Sequence, residues 1–163
     1  YADRAYQLRK YGMKNLYYSE EHGINSRLDE VQAAILNFKL KKLKLWINKR
    51  RKIAQIYNDF LQNTSLILPK ENEDNYHSYH SYVVRHPNRK NIMNKLSKKG
   101  IYCNILYPFP IHLMRGYLYL KYRKNSFPIA EKLSQQIFSL PMYPQLSEAM
   151  ILKIIKSLKK TGI

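Results

Sequence analysis

The chain has 163 residues, of which 45% are hydrophobic, and carries 29 Lys+Arg against 11 Asp+Glu for a formal net charge of +18. That size suits one domain, or one domain with a long appendage, and that apolar fraction supports a core and argues against wholesale disorder. The single cysteine, Cys103, excludes an internal disulfide framework and a four-cysteine zinc site.

No apolar run approaches the ~18 residues of a membrane span, and no basic-then-apolar leader opens the chain, so a soluble cytoplasmic protein is the expectation. The first residue is Tyr1, not a methionine, as in a fragment. The charge has two readings. It suits a nucleic acid or other polyanion partner. It also suits simple compositional bias, since the cations are 20 Lys against 9 Arg in a chain rich in Ile and Asn. The clusters at Lys39–Lys52 and Lys153–Lys160 lie on predicted helices and read as solvated faces.

From Ser26 to about Gln62, apolar residues recur at Leu28, Val31, Ala34, Ile35 and Phe38, then Leu43, Trp46 and Ile47, then Ile53, Ile56, Tyr57 and Phe60. This spacing predicts a helix of about 35 residues, roughly 50 Å long, or two helices with a bend. Ser26 is the predicted cap, with Asp29 and Glu30 in the first turn. Such a helix is longer than a small domain needs and suits a bridge between domains or subunits. Next come a short apolar segment at Ser65–Leu68 stopped by Pro69, a polar loop over Lys70–Asn75, and a strand over Tyr79–Arg85. A helix over Arg89–Lys99 is capped by Asn88 and ended by Gly100. A strand follows at Ile101–Ile105, then an irregular loop at Tyr107–His112. The last elements are a helix over Phe127–Phe138 with Pro128 in its first turn, a loop bracketed by Pro141 and Pro144, and a helix capped by Ser147 that runs to about Lys159. The fold class is α/β, a small sheet covered by helices at one end of a long helix.

No self-contained catalytic set stands out. The five glycines are separate, so no phosphate-cradling loop is present. His77 and His80 are three apart in a predicted strand or loop, where their side chains diverge, and no metal site is predicted. Two segments are unusual. His22–Glu30 (HGINSRLDE) brings an Asn and an Arg to a helix mouth after a glycine turn, where they suit a phosphate or simply a cap and a surface arginine. Tyr107–His112 (YPFPIH) is a loop stiffened by two prolines that presents a phenol and an imidazole, suited to a sugar or phosphate or to a packed turn.

These segments, with LRKYG at 8–12, HGINSRLDEVQAAIL at 22–36, YHSYVVR at 79–85, YPFPIHLM at 107–114 and FPIAEKLSQQIFSLPMYPQLS at 127–147, resemble the C-terminal half of the DegT/StrS-type nucleotide-sugar aminotransferases. The resemblance covers essentially the whole chain. It implies the C-terminal part of an aspartate-aminotransferase-like, pyridoxal-phosphate fold. Residues 1–25 would end the large cofactor domain and form an interface turn, 26–62 would be a long connecting helix, and 63–163 a small C-terminal α/β domain. It implies a homodimer that binds pyridoxal 5'-phosphate and moves an amino group from glutamate to a keto-sugar nucleotide for glycan or surface-polysaccharide synthesis. Asn25 is implied as a contact to the cofactor phosphate of the neighbouring subunit. Tyr107, His112 and Arg27 are implied as substrate contacts, with Arg9 and Tyr11 beside the same dimer-related site. Leu106 stands where many members carry His, which resembles the enzymes that aminate C3 of a dTDP-linked 3-keto-6-deoxyhexose.

The family's Schiff-base lysine and the Asp paired with the pyridine nitrogen precede the LRKYG segment, and none of the 20 lysines here matches the lysine motif. The chain alone is therefore expected not to transaminate. The rival readings are a sugar-nucleotide dehydratase of the same superfamily, a non-catalytic truncated product, and a polyanion-binding module. Without the large domain the apolar stripe of the long helix is exposed, which predicts self-association or poor solubility.

Overall fold

The computed structural model describes residues 1–15 and 17–163. Two compact units emerge, Tyr1–Lys44 and Leu45–Ile163. In the first, α1 (Ala2–Leu8) is followed by β1 (Met13–Asn15) and β2 (Tyr18–Ser19), an antiparallel pair with Met13 opposite Ser19 and Asn15 opposite Tyr18. The chain then folds back through residues 23–27 and enters α2 (Glu30–Leu61), one helix of 32 residues that continues into the second unit.

Helix α2 begins at Glu30, four residues after the predicted cap. Leu28 adopts a left-handed backbone (φ +65°), which no helix can pass through, so Ser26 lies outside it. Asp29 takes the cap position. Its carbonyl accepts from the Ala33 N–H at 3.0 Å, and its own N–H donates to Gln32 Oε1 at 3.3 Å. That is the back half of a capping box. The apolar stripe is exposed over this half of the helix, with Val31 72% and Phe38 60% accessible.

The second unit is built on the C-terminal turns of α2, which bury Ile53, Ala54, Tyr57 and Leu61. Strand β3 (Tyr82–Arg85) pairs antiparallel with β4 (Ile137–Leu140), Tyr82 opposite Leu140 and Arg85 opposite Ile137. Single-residue bridges extend this ribbon on both edges, Ile67 to Arg85 and Asn104 to Ser139. The apolar segment at 65–68 and the segment at 101–105, where a strand was expected, therefore contribute one bridge each. Proline has no N–H for a ladder, and Pro69 and Pro141 close off both edges.

Strand β3 is also shorter than expected. Tyr79 has φ +46°, so extended backbone starts only at Tyr82. Helix α3 (Arg89–Ser97) runs as expected and is followed by Gly100 at φ +72°. Asn88 does not cap it with its side chain. Instead its N–H donates to His86 Nδ1 at 2.9 Å, and the Arg89 guanidinium reaches the carbonyls of Ser134 (2.6 Å) and Ile137 (2.9 Å). Helix α4 (Pro128–Gln136) stops where β4 begins, so Ile137 and Phe138 are strand and not helix. Helix α5 (Glu148–Lys159) is capped as expected, with Ser147 Oγ accepting from the Met150 N–H at 3.4 Å.

The core of this unit gathers Tyr57 and Leu61 from α2, Tyr82 and Val84 from β3, Leu96 from α3, Phe138 from β4, and Ile151 and Leu158 from α5. The Tyr57 and Tyr82 rings lie 4.9 Å apart, and Tyr57 donates its hydroxyl to the Pro141 carbonyl at 2.9 Å. A buried hydroxyl needs such a partner. The polar loop after Pro69 is held to α2 by Arg51, which grips both oxygens of Glu71 (2.6 and 3.0 Å) and the His77 carbonyl (2.8 Å). Among the described residues, no helix is long and apolar enough to cross a membrane.

Candidate functional site

The turn at residues 23–27 is built against α1 and the segment after it. Ile24 N–H donates to the Leu8 carbonyl (2.8 Å), Ser26 N–H to the Arg9 carbonyl (2.9 Å), and Tyr11 N–H to the Ile24 carbonyl (3.1 Å). Lys10 and Asn25 face each other across this bridge. Two glycines allow the approach. Gly12 sits at φ +73°, and a Cβ on Gly23 would lie 2.2 Å from the Gly12 nitrogen. Arg9 braces the turn from outside, donating to the Ser26 carbonyl at 2.9 Å and to the Arg27 carbonyl.

The braced turn leaves Asn25, Ser26 and Arg27 exposed. With Leu28, Asp29 and Gln32 they line a hollow of about 330 Å³. An amide, a hydroxyl and a guanidinium beside the start of a long helix form a donor set that fits a phosphate group. Arg27 is paired with Asp29 at 3.3 Å, so an arriving anion competes with that carboxylate. Arg27 also borders a larger hollow of about 540 Å³ with Arg4, Tyr6, Lys10 and Tyr11. There Lys10 Nζ donates to the Tyr6 hydroxyl at 2.6 Å, and this bond holds the Tyr6 phenol below its ordinary range.

In the second unit, Tyr107, Phe109 and His112 line a hollow of about 450 Å³ with Tyr122, Phe127 and Leu133. Tyr107 is 72% exposed and His112 only 7%. The His112 ring packs edge-on against Phe127, with centroids 4.9 Å apart. Its Nε2 lies 3.0 Å from Glu131 Oε1, and the same oxygen accepts the N–H groups of Asn125 (2.8 Å) and Phe127 (3.4 Å). Glu131 is 8% exposed. Burial alone raises its pKa, but the His112 bond and the two backbone N–H groups prevail and hold the carboxyl below its ordinary range.

A folded-state pKa below the unfolded value adds stability that is complete above the ordinary glutamate range. That stability is lost as pH falls through the lowered value. Acid titration of the protease resistance of residues 112–127 is therefore expected to show a midpoint below that of an exposed glutamate. A midpoint at or above it contradicts the assignment.

The remaining chemistry-bearing groups are quiet. Burial pushes the Cys103 thiol up to about 12, so it stays protonated and is no nucleophile. Among the described residues no cluster of three His, Cys, Asp or Glu is placed to hold a metal.

The structure thus brings Asn25 and Arg27 to one hollow and Tyr107 and His112 to another. Arg9 and Tyr11 belong to the bridge that supports the first. Sequence reasoning missed Glu131. Its signal was an acidic residue in the first turn of a helix opened by Pro128, where a carboxylate meets free N–H groups.

The profile of the DegT/DnrJ/EryC1/StrS aminotransferase family matches residues 1–159. The chain is 42% identical to a dTDP-3-amino-3,4,6-trideoxy-alpha-D-glucose transaminase of Micromonospora megalomicea subsp. nigra, over 96% of this chain and 44% of that protein. The crystal structure of Streptomyces venezuelae DesV superposes with a TM-score of 0.87 at 34% identity, over 98% of this chain and 43% of that one. NtdA from Bacillus subtilis, solved with bound cofactor PMP, superposes at 0.80 with 27% identity, over 95% of this chain and 38% of that one. The chain therefore spans less than half the length of the relatives it matches. A match across nearly its whole length, joined to the same mixed helix-and-small-sheet architecture, places the chain in the DegT/DnrJ/EryC1/StrS aminotransferase family.

Proposed function

We propose that the chain is the C-terminal portion of a pyridoxal-phosphate-dependent enzyme that moves an amino group from glutamate to a keto-sugar nucleotide. The substrate favoured is a dTDP-linked 3-keto-6-deoxyhexose, and the product would serve glycan or surface-polysaccharide synthesis in the cytoplasm. The observation that carries this reading is the braced, glycine-dependent turn, which offers Asn25, Ser26 and Arg27 as a phosphate-fitting donor set within a chain that matches the family over residues 1–159.

In this reading residues 1–25 end the large cofactor domain, 26–62 form the connecting helix, and 63–163 are the small domain of an aspartate-aminotransferase-like fold. The exposed face of α2 at Val31, Ile35 and Phe38 is covered in the complete homodimer. When bound, pyridoxal phosphate supplies the electron sink for the transfer. The chain's own residues bind and orient. Asn25 donates its amide to the cofactor phosphate of the neighbouring subunit. Arg27 holds the anionic substrate, and Tyr107 and His112 place the sugar nucleotide. The 163-residue chain by itself is inactive, because none of its 20 lysines stands in the Schiff-base motif.

Asn25→Ala in the full-length protein is the test. Loss of one hydrogen bond to a charged group predicts about tenfold weaker cofactor retention. It is read as the absorbance that remains with the protein after gel filtration. Unchanged retention removes Asn25 from the phosphate site.

A further inference from the structure

One carboxylate oxygen in the second unit meets three polar groups from two separate stretches of chain. Glu131 Oε1 lies 3.0 Å from His112 Nε2 and accepts from Asn125 N–H and from Phe127 N–H. The stretch between them, residues 113–126, is exposed except for half-buried Met114. It has no strand or α-helix, only the 3-10 turns Ile111–Leu113 and Arg115–Leu120. Two of its residues, Lys121 (φ +60°) and Asn125 (φ +72°), are left-handed without being glycine. Asn tolerates this backbone, but for Lys121 it persists only when its surroundings hold it. Glu131 is the group that ties its two ends together.

We propose that Glu131 is a positioning residue. By accepting from His112, Asn125 and Phe127 it fixes the tautomer of His112 and closes residues 112–127 on themselves, so that the hollow lined by Tyr107, Phe109 and His112 exists before a ligand arrives. Its value to the reaction rests on reading that hollow as the sugar-nucleotide side of the chain.

The chemistry is set by donor and acceptor roles. A carboxylate held ionised can only accept, so the proton on the His112 nitrogen beside it must reside on Nε2. In the neutral ring, Nδ1 then carries the free lone pair. It is suited to accept from a hydroxyl or N–H donor, the groups that a sugar nucleotide presents. A carboxylate behind an imidazole that orients the ring and selects its tautomer is a recurring device at functional sites. Here it also tethers the loop that carries Tyr107 to the first turn of α4. The PFP sequence between Tyr107 and Ile111 stiffens the intervening backbone, so pinning His112 also restricts Tyr107.

Two measurements on the 163-residue chain without ligand test this. Long-range proton–nitrogen NMR of histidine-labelled protein, recorded at a pH where the imidazole ring is neutral and with His112 assigned through His112→Gln, is expected to show the Nε2–H tautomer. Limited trypsin digestion compares cleavage after Arg115, Lys121, Arg123 and Lys124 with cleavage after Lys98 and Lys99. In Glu131→Gln that ratio is expected to rise about tenfold, and the His112 signal to become a mixture of tautomers. An Nδ1–H tautomer in the unmodified chain, or an unchanged cleavage ratio in Glu131→Gln, overturns the proposal. Should Glu131→Gln fail to fold, the tautomer of the unmodified chain decides alone. Both readouts are independent of substrate. A correct tautomer and a protected loop in a protein that binds no sugar nucleotide would remove the functional reading and leave the positioning role standing.

Discussion

Gly23→Ala is expected to open the turn that carries Asn25. A Cβ at this position would lie 2.2 Å from the Gly12 nitrogen, 2.5 Å from the Leu8 carbonyl oxygen and 2.6 Å from the Tyr11 carbonyl carbon. All three are backbone atoms, so none can swing aside as a side chain would. Relief requires α1, the Tyr11–Gly12 bend and the turn to separate, which breaks the bonds from Ile24 to Leu8 and from Ser26 to Arg9. Overpacking of this kind costs about 3 kcal/mol or more. Hydrogen exchange at the Ile24 and Ser26 amides should accelerate by about a hundredfold. Gly116→Ala is the control, since nothing lies within 4 Å of its Cβ position, and it should leave exchange unchanged. Wild-type protection in Gly23→Ala would mean that the turn does not close on α1 in this way.

Phe138→Ala is expected to be among the most costly truncations in the second unit's strands. Phe138 sits in β4 opposite Val84, is 1% exposed, and packs in the same core as Tyr57, Leu96 and Leu158. Replacing a buried aromatic ring by a methyl group costs about 3–5 kcal/mol, from lost transfer energy and the cavity left behind. The midpoint of urea unfolding should fall accordingly. Phe109→Ala, at a 67% exposed position, should stay within about 0.5 kcal/mol. Equal losses for the two would contradict the placement of β4 in the core.

Phe138 also marks where the sequence misled. Residues 127–138 carry a continuous helical pattern, and Ile137 and Phe138 continue it in type and spacing. What ends the helix is tertiary. The two residues complete a ladder with Arg85 and Val84, contributed from about fifty residues earlier. No local signal announces that pairing, because propensity yields to partners the sequence does not show. Short strands at 13–15 and 18–19 were invisible for the same reason.

Features with a local cause were legible. Ser147 caps α5, Gly100 follows α3 in a left-handed conformation, Pro128 opens α4, and α2 keeps its 3.6-residue stripe over 32 residues. The start of α2 was misplaced because Leu28 adopts a backbone that its side chain does not favour. At the candidate site, the sequence offered Asn25, Arg27, Tyr107 and His112. It could not indicate that Arg9 would brace the turn or that Glu131 would meet His112, 19 residues away. Both depend on long side chains reaching across the fold.

Amino-group transfer is the central claim, and nitrogen-15 glutamate tests it most directly. The longest open frame that contains this segment would be expressed, loaded with pyridoxal phosphate, and incubated with labelled glutamate and a dTDP-linked 3-keto-6-deoxyhexose. The expected result is nitrogen-15 in the sugar nucleotide, with none transferred by the 163-residue chain on its own. A sugar nucleotide that loses water without gaining nitrogen, or one recovered unchanged, would contradict the assignment.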